Sequence, residues 1–264
     1  MTTDSADVHR QVQEQFGATA AAYTRSAGHG DATALAFLVS LAAPQPGDVA
    51  LDVATGAGHT ALAFAPHLRG VVAYDLTPAM LAETAKTAAE RGLANVVTRQ
   101  GPAEQLPFAD ASFDIVTVRL ASHHFADNPR AVSEMARVAR PGARILIVDN
   151  YGPEDPALDE QLQEMEKLRD ASHVRSYTLR VWNAVMRDAG LRVEREITDR
   201  YAESARGMRF ADWVSRARTP SDRAEQLRGI FQKASPELRQ LLSVEIDGDD
   251  IWFCLPQVTL LVRK

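Results

Sequence analysis

The chain is poor in cysteine: 264 residues contain one, Cys254. A lone cysteine closes no internal disulfide, so the sequence fits a reducing compartment and a cytoplasmic location is expected. Long apolar runs are missing too. None approaches the roughly 18 residues of a membrane span, and the opening stretch MTTDSADVHRQVQEQF lacks the apolar core of a secretion signal. Basic charge is not in excess. A net charge of −6 with no local basic stripe argues against nucleic acid as a partner. There is no internal repeat and no low-complexity segment, and nothing in the pattern specifies an oligomeric state.

What is present is ordinary for a globular chain: 45% hydrophobic and 24% charged residues. The length suffices for one full core. Short apolar runs alternate with helical patterns, the signature of a parallel α/β sheet. Asp31 reads as an N-cap before Ala34, Leu35, Leu38 and Leu41. Strands are expected over 49–54, 71–74, 96–99, 113–118 and 145–148, with helices between them except after the third. Thr77-Pro78 and Asn128-Pro129 read as helix starts, and Gly92 as a helix-ending glycine.

Beyond residue 150 the pattern changes. Helices are expected over 155–170 and 178–189, a sixth strand over 191–197, and more helix over 209–242. Asp247-Gly248 reads as a turn. A closing strand over 251–262 is expected to be interrupted by Pro256, which cannot donate to a ladder. The expected fold is therefore α/β: a doubly wound, seven-stranded, mostly parallel sheet of Rossmann type with its last strand antiparallel and a helical insert. As one domain, it divides into an N-terminal helical cover (1–45), a core (46–150), and helical lid segments (151–190 and 200–245).

In such sheets ligands bind beyond the carboxyl ends of the strands. The first strand ends in Ala54-Thr55-Gly56-Ala57-Gly58, whose glycines permit a tight turn and close approach of a ligand. The second ends at Asp75, placed to accept hydrogen bonds from two ribose hydroxyls. These two features fit S-adenosylmethionine (SAM) and a nicotinamide dinucleotide alike.

A third feature separates them. Gly101-Pro102-Ala103-Glu104-Gln105-Leu106-Pro107-Phe108, then Asp110 and Ser112-Phe113-Asp114, resembles the G-D-A-E-x-L-P-F-x-D-x-S-F-D segment of class I SAM-dependent methyltransferases. The likeness is closest to the group that includes the ubiquinone/menaquinone C-methyltransferases and many small-molecule methyltransferases. Asp52–Gly58, Asp75-Leu76-Thr77-Pro78-Ala79-Met80-Leu81 and Arg137-Val138-Ala139-Arg140-Pro141-Gly142-Ala143 match the same family. The resemblance spans roughly residues 10–150.

It implies SAM as cofactor and a small-molecule methyl acceptor, expected to be partly apolar. Ala54, Thr55, Gly56 and Gly58 would pass beside the methionine portion, and Asp75 would bind the ribose. Leu76 and Met80 would flank adenine, with Ala103 N–H on a ring nitrogen. Arg119 and Leu120 would floor the site near the sulfonium. Phe16, Tyr23 and Ser26 fall in a stretch like the family's F-x-x-x-A-x-x-Y-x-x-S, which puts Tyr23 within reach of the SAM carboxylate. One departure stands out: Pro102 occupies a position where the family often has Asp, so adenine recognition falls to backbone groups, Glu104 or water.

Methyl transfer needs an in-line nucleophile, and a base where the acceptor is a hydroxyl or carbon acid. The candidates are His123 and His124, after the fourth strand, either as base or acceptor-orienting groups or as packing residues. As a metal site the pair lacks a further recognisable ligand, so no metal is expected. Asp149, at the end of the fifth strand, reads as a base or an acceptor-orienting group, or as a helix-capping or loop acid, and Tyr151 beside it is expected at the acceptor. His173 and Arg175 read as anion contacts at a lid margin or as a solvated connection. Phe210, Trp213, Phe231, Trp252 and Phe253 read as ordinary core or as the walls of an apolar pocket. His9, His29, His59 and His67 show no evident partner. Rival functions are a catalytically silent SAM-binding module, SAM-dependent chemistry other than methyl transfer, and an NAD-dependent oxidoreductase.

Overall fold

A computed structural model describes residues 5–24, 30–201, 204 and 206–264. Two helices, α1 (Ser5–Thr24) and α2 (Ala32–Ala42), precede β1 (Val49–Val53). Next come α3 (His59–Phe64), β2 (Gly70–Asp75), α4 (Pro78–Glu90), β3 (Val96–Gln100) and β4 (Phe113–Arg119). A single 3-10 turn, Ser122–His124, leads into α5 (Asn128–Val138) and β5 (Ala139–Asn150). After α6 (Pro156–Arg169) and α7 (Leu179–Asp188) comes β6 (Arg192–Tyr201). The rest is β7 (Met208–Arg209), α8 (Phe210–Arg216), α9 (Ser221–Gln232), α10 (Pro236–Leu242), β8 (Glu245–Asp247), β9 (Asp250–Phe253) and β10 (Leu255–Arg263).

The main sheet has the order β3-β2-β1-β4-β5-β10-β6. β10 runs antiparallel to both neighbours, and the pairs among β1 to β5 are parallel. The order reverses between β1 and β4, so their carboxyl ends flank a crevice. Side chains alternate between the faces of the sheet. Leu51, Val53, Ile145 and Ile147 meet Val132 and Met135 of α5 and Trp182 of α7 on one side. Ala50, Leu146 and Val148 meet Leu38 of α2 and Phe64 of α3 on the other. Burial on both faces is why these strands read as near-continuous apolar runs.

Local chemistry fixes the ends. Asp31 caps α2, its Oδ1 accepting from Thr33 N at 2.9 Å. Gly92 follows α4 with φ 67°, the left-handed region that favours glycine. Two of the expected caps differ. Asp127, not Asn128, caps α5 by accepting from Arg130 N. Thr77 holds the cap position of α4 without a side-chain cap bond, and its own N–H donates to Asp75 Oδ1 at 2.7 Å.

The expected closing strand is two strands, broken at Cys254 rather than at Pro256. Cys254 N donates to Leu242 O at 2.7 Å, which turns the chain out of one sheet and into another. β9 belongs to a three-stranded sheet of order β7-β9-β8 that the sequence pattern does not announce. This sheet and α8–α10 enclose their own core. Phe210, Trp213, Phe231 and Phe253 pack ring to ring there, with Leu162 and Met165 of α6. The aromatic residues of this region are thus mainly core. Trp252 is half-buried and lies under the Arg206 guanidinium, 5.2 Å from the ring centroid. Among the described residues no helix is long and apolar enough to cross a membrane.

Candidate active site

The carboxyl ends of β1, β2 and β4 border a cleft of about 950 Å³, open to solvent on one side and covered by α1. The β1 loop is built from beneath by Asp52, which is 2% exposed. Its Oδ1 accepts from the Thr117 hydroxyl and its Oδ2 from the Thr55 hydroxyl, each at 2.6 Å. Burial raises its pKa, and these two hydroxyls oppose the shift. The chain then turns through three positive φ values: Ala54 at 51°, Gly56 at 56° and Gly58 at 83°. A Cβ at Gly56 would meet nothing within 4 Å, whereas one at Gly58 would lie 2.6 Å from Thr84 Cγ2. Gly58 therefore packs the loop against α4 and does not line the cleft, while Gly56 does.

Asp75 also lines the cleft and is 8% exposed. Its Oδ2 accepts Gly56 N–H at 2.8 Å and its Oδ1 accepts Thr77 N–H at 2.7 Å. Each oxygen keeps a second lone pair, so the carboxylate can accept two hydroxyls from a ribose while fixing the loop beside it. Burial pushes its pKa up to about 6. This donor and acceptor set fits the ribose of SAM.

At the far end the Tyr74 hydroxyl shares its proton between the carbonyls of Pro102 and Gln105, at 3.1 and 3.3 Å. Gly101 is required beside it, because a Cβ there would come within 2.0 Å of that oxygen. Glu104 Oε1 accepts from Ala126 N at 2.9 Å, and Oε2 lies 3.3 Å from His9 Nε2 of α1. The one carboxylate of the Pro102–Gln105 segment is thus engaged in holding the turn before α5 and the cover helix. Arg119 Nε donates to the Thr60 hydroxyl at 3.0 Å, and Leu120 follows with φ 53°. Left-handed backbone at a residue with a branched side chain costs energy, and such positions cluster at sites.

A second cavity of about 430 Å³ adjoins the first, sharing Phe16, Tyr23, Leu120 and His124. His123, Asn150, Arg169, Met208, Trp213, Arg216 and Leu255 complete it. Arg169 stacks over Trp213, 5.1 Å from the ring centroid, and donates to Trp213 O at 3.3 Å. Asn150 Oδ1 is buried with no partner among the described residues.

The two histidines differ sharply. His123 Nδ1 lies 2.5 Å from Asp149 Oδ1, and Asp149 Oδ2 accepts His123 N–H at 3.1 Å. Burial works against charge on His123, but the Asp149 carboxylate outweighs it and raises the pKa. His124 is lowered to about 4, by burial first and then by the charge of His123. Its Nδ1 lies 3.0 Å from Ser172 O. Among the described residues neither Nε2 has a hydrogen-bond partner, and neither is sealed off from solvent.

Phe16, Tyr23, Ala54, Thr55, Gly56, Asp75, Leu76, Met80, Pro102, Ala103, Glu104, Arg119 and Leu120, all expected at the cofactor, line the first cleft. Ser26 and His29 lie outside the described residues. Of the residues expected at the acceptor, His124 and Trp213 border the second cavity, and four stand elsewhere. Asp149 lies behind His123. Tyr151 packs against the main core. His173 is buried and bonds Gln163 Oε1 at 2.9 Å. Arg175 pairs with Asp159 at the surface. His9 and His59 do have partners, Glu104 and the Tyr23 carbonyl. Asn150, Arg169, Met208, Arg216 and Leu255 carried no motif. They converge only through the packing of α6, α8 and β10 around the end of β5. Among the described residues no cluster of three or more His, Cys, Asp or Glu could hold a metal.

Residues 51–147 match a family model described as a methyltransferase domain. The chain is 40% identical over 212 residues to the methyltransferase YcgJ of Bacillus subtilis, covering 80% of this chain and 82% of YcgJ. The crystal structure of YcgJ superposes with a TM-score of 0.80 at 36% identity, covering 87% of this chain and 97% of that one. A ubiquinone/menaquinone biosynthesis C-methyltransferase, UbiE of Teredinibacter turnerae, is 33% identical over 129 residues, 47% of this chain and 51% of UbiE.

Proposed function

Since the chain belongs to the SAM-dependent methyltransferases, we propose that it methylates a small, partly apolar molecule at a hydroxyl or carbon acid whose proton His124 accepts. The observation that carries this reading is the contrast between His123 and His124. Adjacent titratable groups whose pKa values are pushed apart mark an acid and a base. Burial and the charge of His123 push the His124 pKa down to about 4, which favours the neutral ring, and His124 lines both cavities with no hydrogen-bond partner for Nε2 among the described residues. The Asp149 carboxylate favours the charged form of His123, which in that form would stabilise negative charge developing on the acceptor.

When bound, SAM supplies an electrophilic methyl carbon on a sulfonium. Asp75 would hold the ribose, the Ala54–Gly56 loop the methionine portion, and Leu76 and Met80 the adenine. α1 excludes water from above through Phe16 and Tyr23, whose rings lie 5.4 Å apart. Orientation of this kind can contribute several kcal/mol, about 7–11 at most. The acceptor would occupy the second cavity, its apolar part against Met208, Trp213 and Leu255. A polar group on it would meet Arg169 and a hydroxyl or amine Asn150 Oδ1. The UbiE-type relative supports a quinone-like phenol or enol as one member of this class. Such an acceptor, and not nucleic acid, suits the size of the cavity.

The test is a metabolite screen with SAM carrying a CD3 methyl group. Mass spectrometry should find a protein-dependent product heavier by one CD3 in place of a hydrogen. A product formed from SAM without methyl gain, or labelling confined to amines, would overturn the reading.

A further inference from the structure

The turn after α6 carries an arrangement that the methyl-transfer reading does not by itself explain. Asp170 Oδ1 accepts two hydrogen bonds, from Ser172 N at 2.9 Å and from the Ser172 hydroxyl at 2.6 Å. Ser172 in turn presents its carbonyl oxygen 3.0 Å from His124 Nδ1 and its Oγ 3.2 Å from the same nitrogen. All of these groups are buried: Asp170 and Ser172 are each 2% exposed.

Counting protons fixes the roles. A serine hydroxyl has one proton, and here it goes to Asp170. Toward His124, Oγ can then only accept, and so can the carbonyl. With two acceptors around it, Nδ1 must carry the ring proton. A neutral imidazole with its proton on Nδ1 has a bare lone pair on Nε2.

Burial and position both work against charge on Asp170. It sits at the C-terminal end of α6, where the helix dipole disfavours a negative charge. Its Oδ2 is buried with no hydrogen-bond partner among the described residues. The neighbouring His124 and Arg169, with the two bonds from Ser172, outweigh that cost and hold the carboxyl below its usual range.

We infer that Asp170 and Ser172 are positioning residues for His124: Asp170 clamps the turn that aims the Ser172 carbonyl at Nδ1–H, which leaves the lone pair on Nε2 of a ring that lines both cavities. This rests on the reading of His124 as the proton acceptor. When Nε2 takes the proton from the acceptor, the ring becomes an imidazolium. Its Nδ1–H then points at Ser172 with the Asp170 carboxylate behind. Other hydrolytic and transfer enzymes orient a histidine base by a carboxylate on its far nitrogen; here a serine is interposed. The remaining charged or titratable groups around His124 are His123 with Asp149, His173 at 6.5 Å between ring centroids, Tyr23 from α1, and Glu166 and Arg169 from α6. His123 disfavours charge on His124 and Asp170 favours it.

The experiment is nitrogen-15 NMR of the histidine rings in the full chain with S-adenosylhomocysteine bound. It needs no acceptor and so is independent of turnover. In the wild type His124 should show a protonated Nδ1 and an unprotonated Nε2. In Asp170→Ala the Nε2-protonated tautomer should rise from undetectable to a share comparable with the other. Ser172→Ala should give a smaller change in the same direction, and Ser172→Thr should restore the wild-type pattern. Calorimetric affinity for S-adenosylhomocysteine should stay within twofold throughout, since neither residue lines the cofactor cleft. If Asp170→Ala does not fold, Ser172→Ala decides. An Nε2-protonated His124 in the wild type, or the wild-type tautomer in every folded variant, would overturn the inference. Unchanged turnover in His124→Gln would instead remove the reading beneath it, whatever the NMR result.

Discussion

His123 and Asp149 are joined twice, ring Nδ1 to Oδ1 at 2.5 Å and backbone N–H to Oδ2 at 3.1 Å. This makes the 3-10 turn after β4 and the end of β5 one rigid unit. Asp149 is 1% exposed, so removing its partner leaves a buried charge. Breaking a buried pair from one side costs about 3–5 kcal/mol. His123→Ala should lose stability on that scale in urea unfolding, and a loss under 1 kcal/mol would show that the dyad contributes little.

Asp75 makes cofactor affinity depend on pH. Its carboxylate must be ionised to accept two ribose hydroxyls, and burial raises its pKa to about 6. Affinity for S-adenosylhomocysteine should therefore hold above pH 7 and weaken as pH falls through 6. In Asp75→Asn this limb should disappear and affinity should be weaker at every pH. Calorimetry at a series of pH values reads both effects.

The two histidines set opposite limbs of turnover. His124 must be neutral to accept a proton, and its lowered pKa of about 4 keeps it neutral until strongly acid conditions. His123 must be charged, and its raised pKa extends that state above the ordinary histidine range. At saturating SAM, kcat should persist down to about pH 5 and fall on the alkaline side. Asp149→Asn should move the alkaline limb toward lower pH.

Glycines 56 and 58 should respond differently to alanine. Both have positive φ, but a Cβ at Gly56 enters open space while one at Gly58 collides with Thr84. Gly56→Ala should cost about 1–2 kcal/mol of stability and mainly impair cofactor binding. Gly58→Ala should cost more, because Thr84 must move and release its 2.8 Å bond to Gly56 O. Comparing unfolding midpoints and cofactor affinity for the two variants separates the effects.

If adenine lies against Pro102 as proposed, no side chain at that position accepts from it, and Glu104 is held by Ala126 N and His9. Pro102→Asp should tighten S-adenosylhomocysteine binding by on the order of tenfold, the value of one added hydrogen bond of about 1–1.5 kcal/mol. Weaker binding would mean that the present backbone and Glu104 already satisfy the adenine amino group.

The lining of the first cleft is legible because it is local: Gly56, Asp75 and the Ala103-Glu104 segment lie at strand ends whose spacing the sequence displays. That of the second cavity is not, because Asn150, Arg169, Arg216 and Leu255 come from four separate elements and share no spacing. Asp149 and His173 stand out in the sequence as chemistry-bearing residues, but only packing shows that they are bonded to His123 and Gln163. The small sheet leaves no pattern because β7 and β8 are two and three residues long, too short for a period of two. The break falls at Cys254 and not at Pro256 because a backbone bond to Leu242, which a sequence does not display, sets it.

The central claim is that His124 takes the proton of the acceptor. It is tested most directly by kcat of His124→Gln against the wild type, on the acceptor found with CD3-labelled SAM, with cofactor affinity measured alongside. A fall of about 10²–10⁴-fold is predicted, the usual contribution of a general base, with affinity for S-adenosylhomocysteine little changed. Wild-type kcat in the variant would contradict the account.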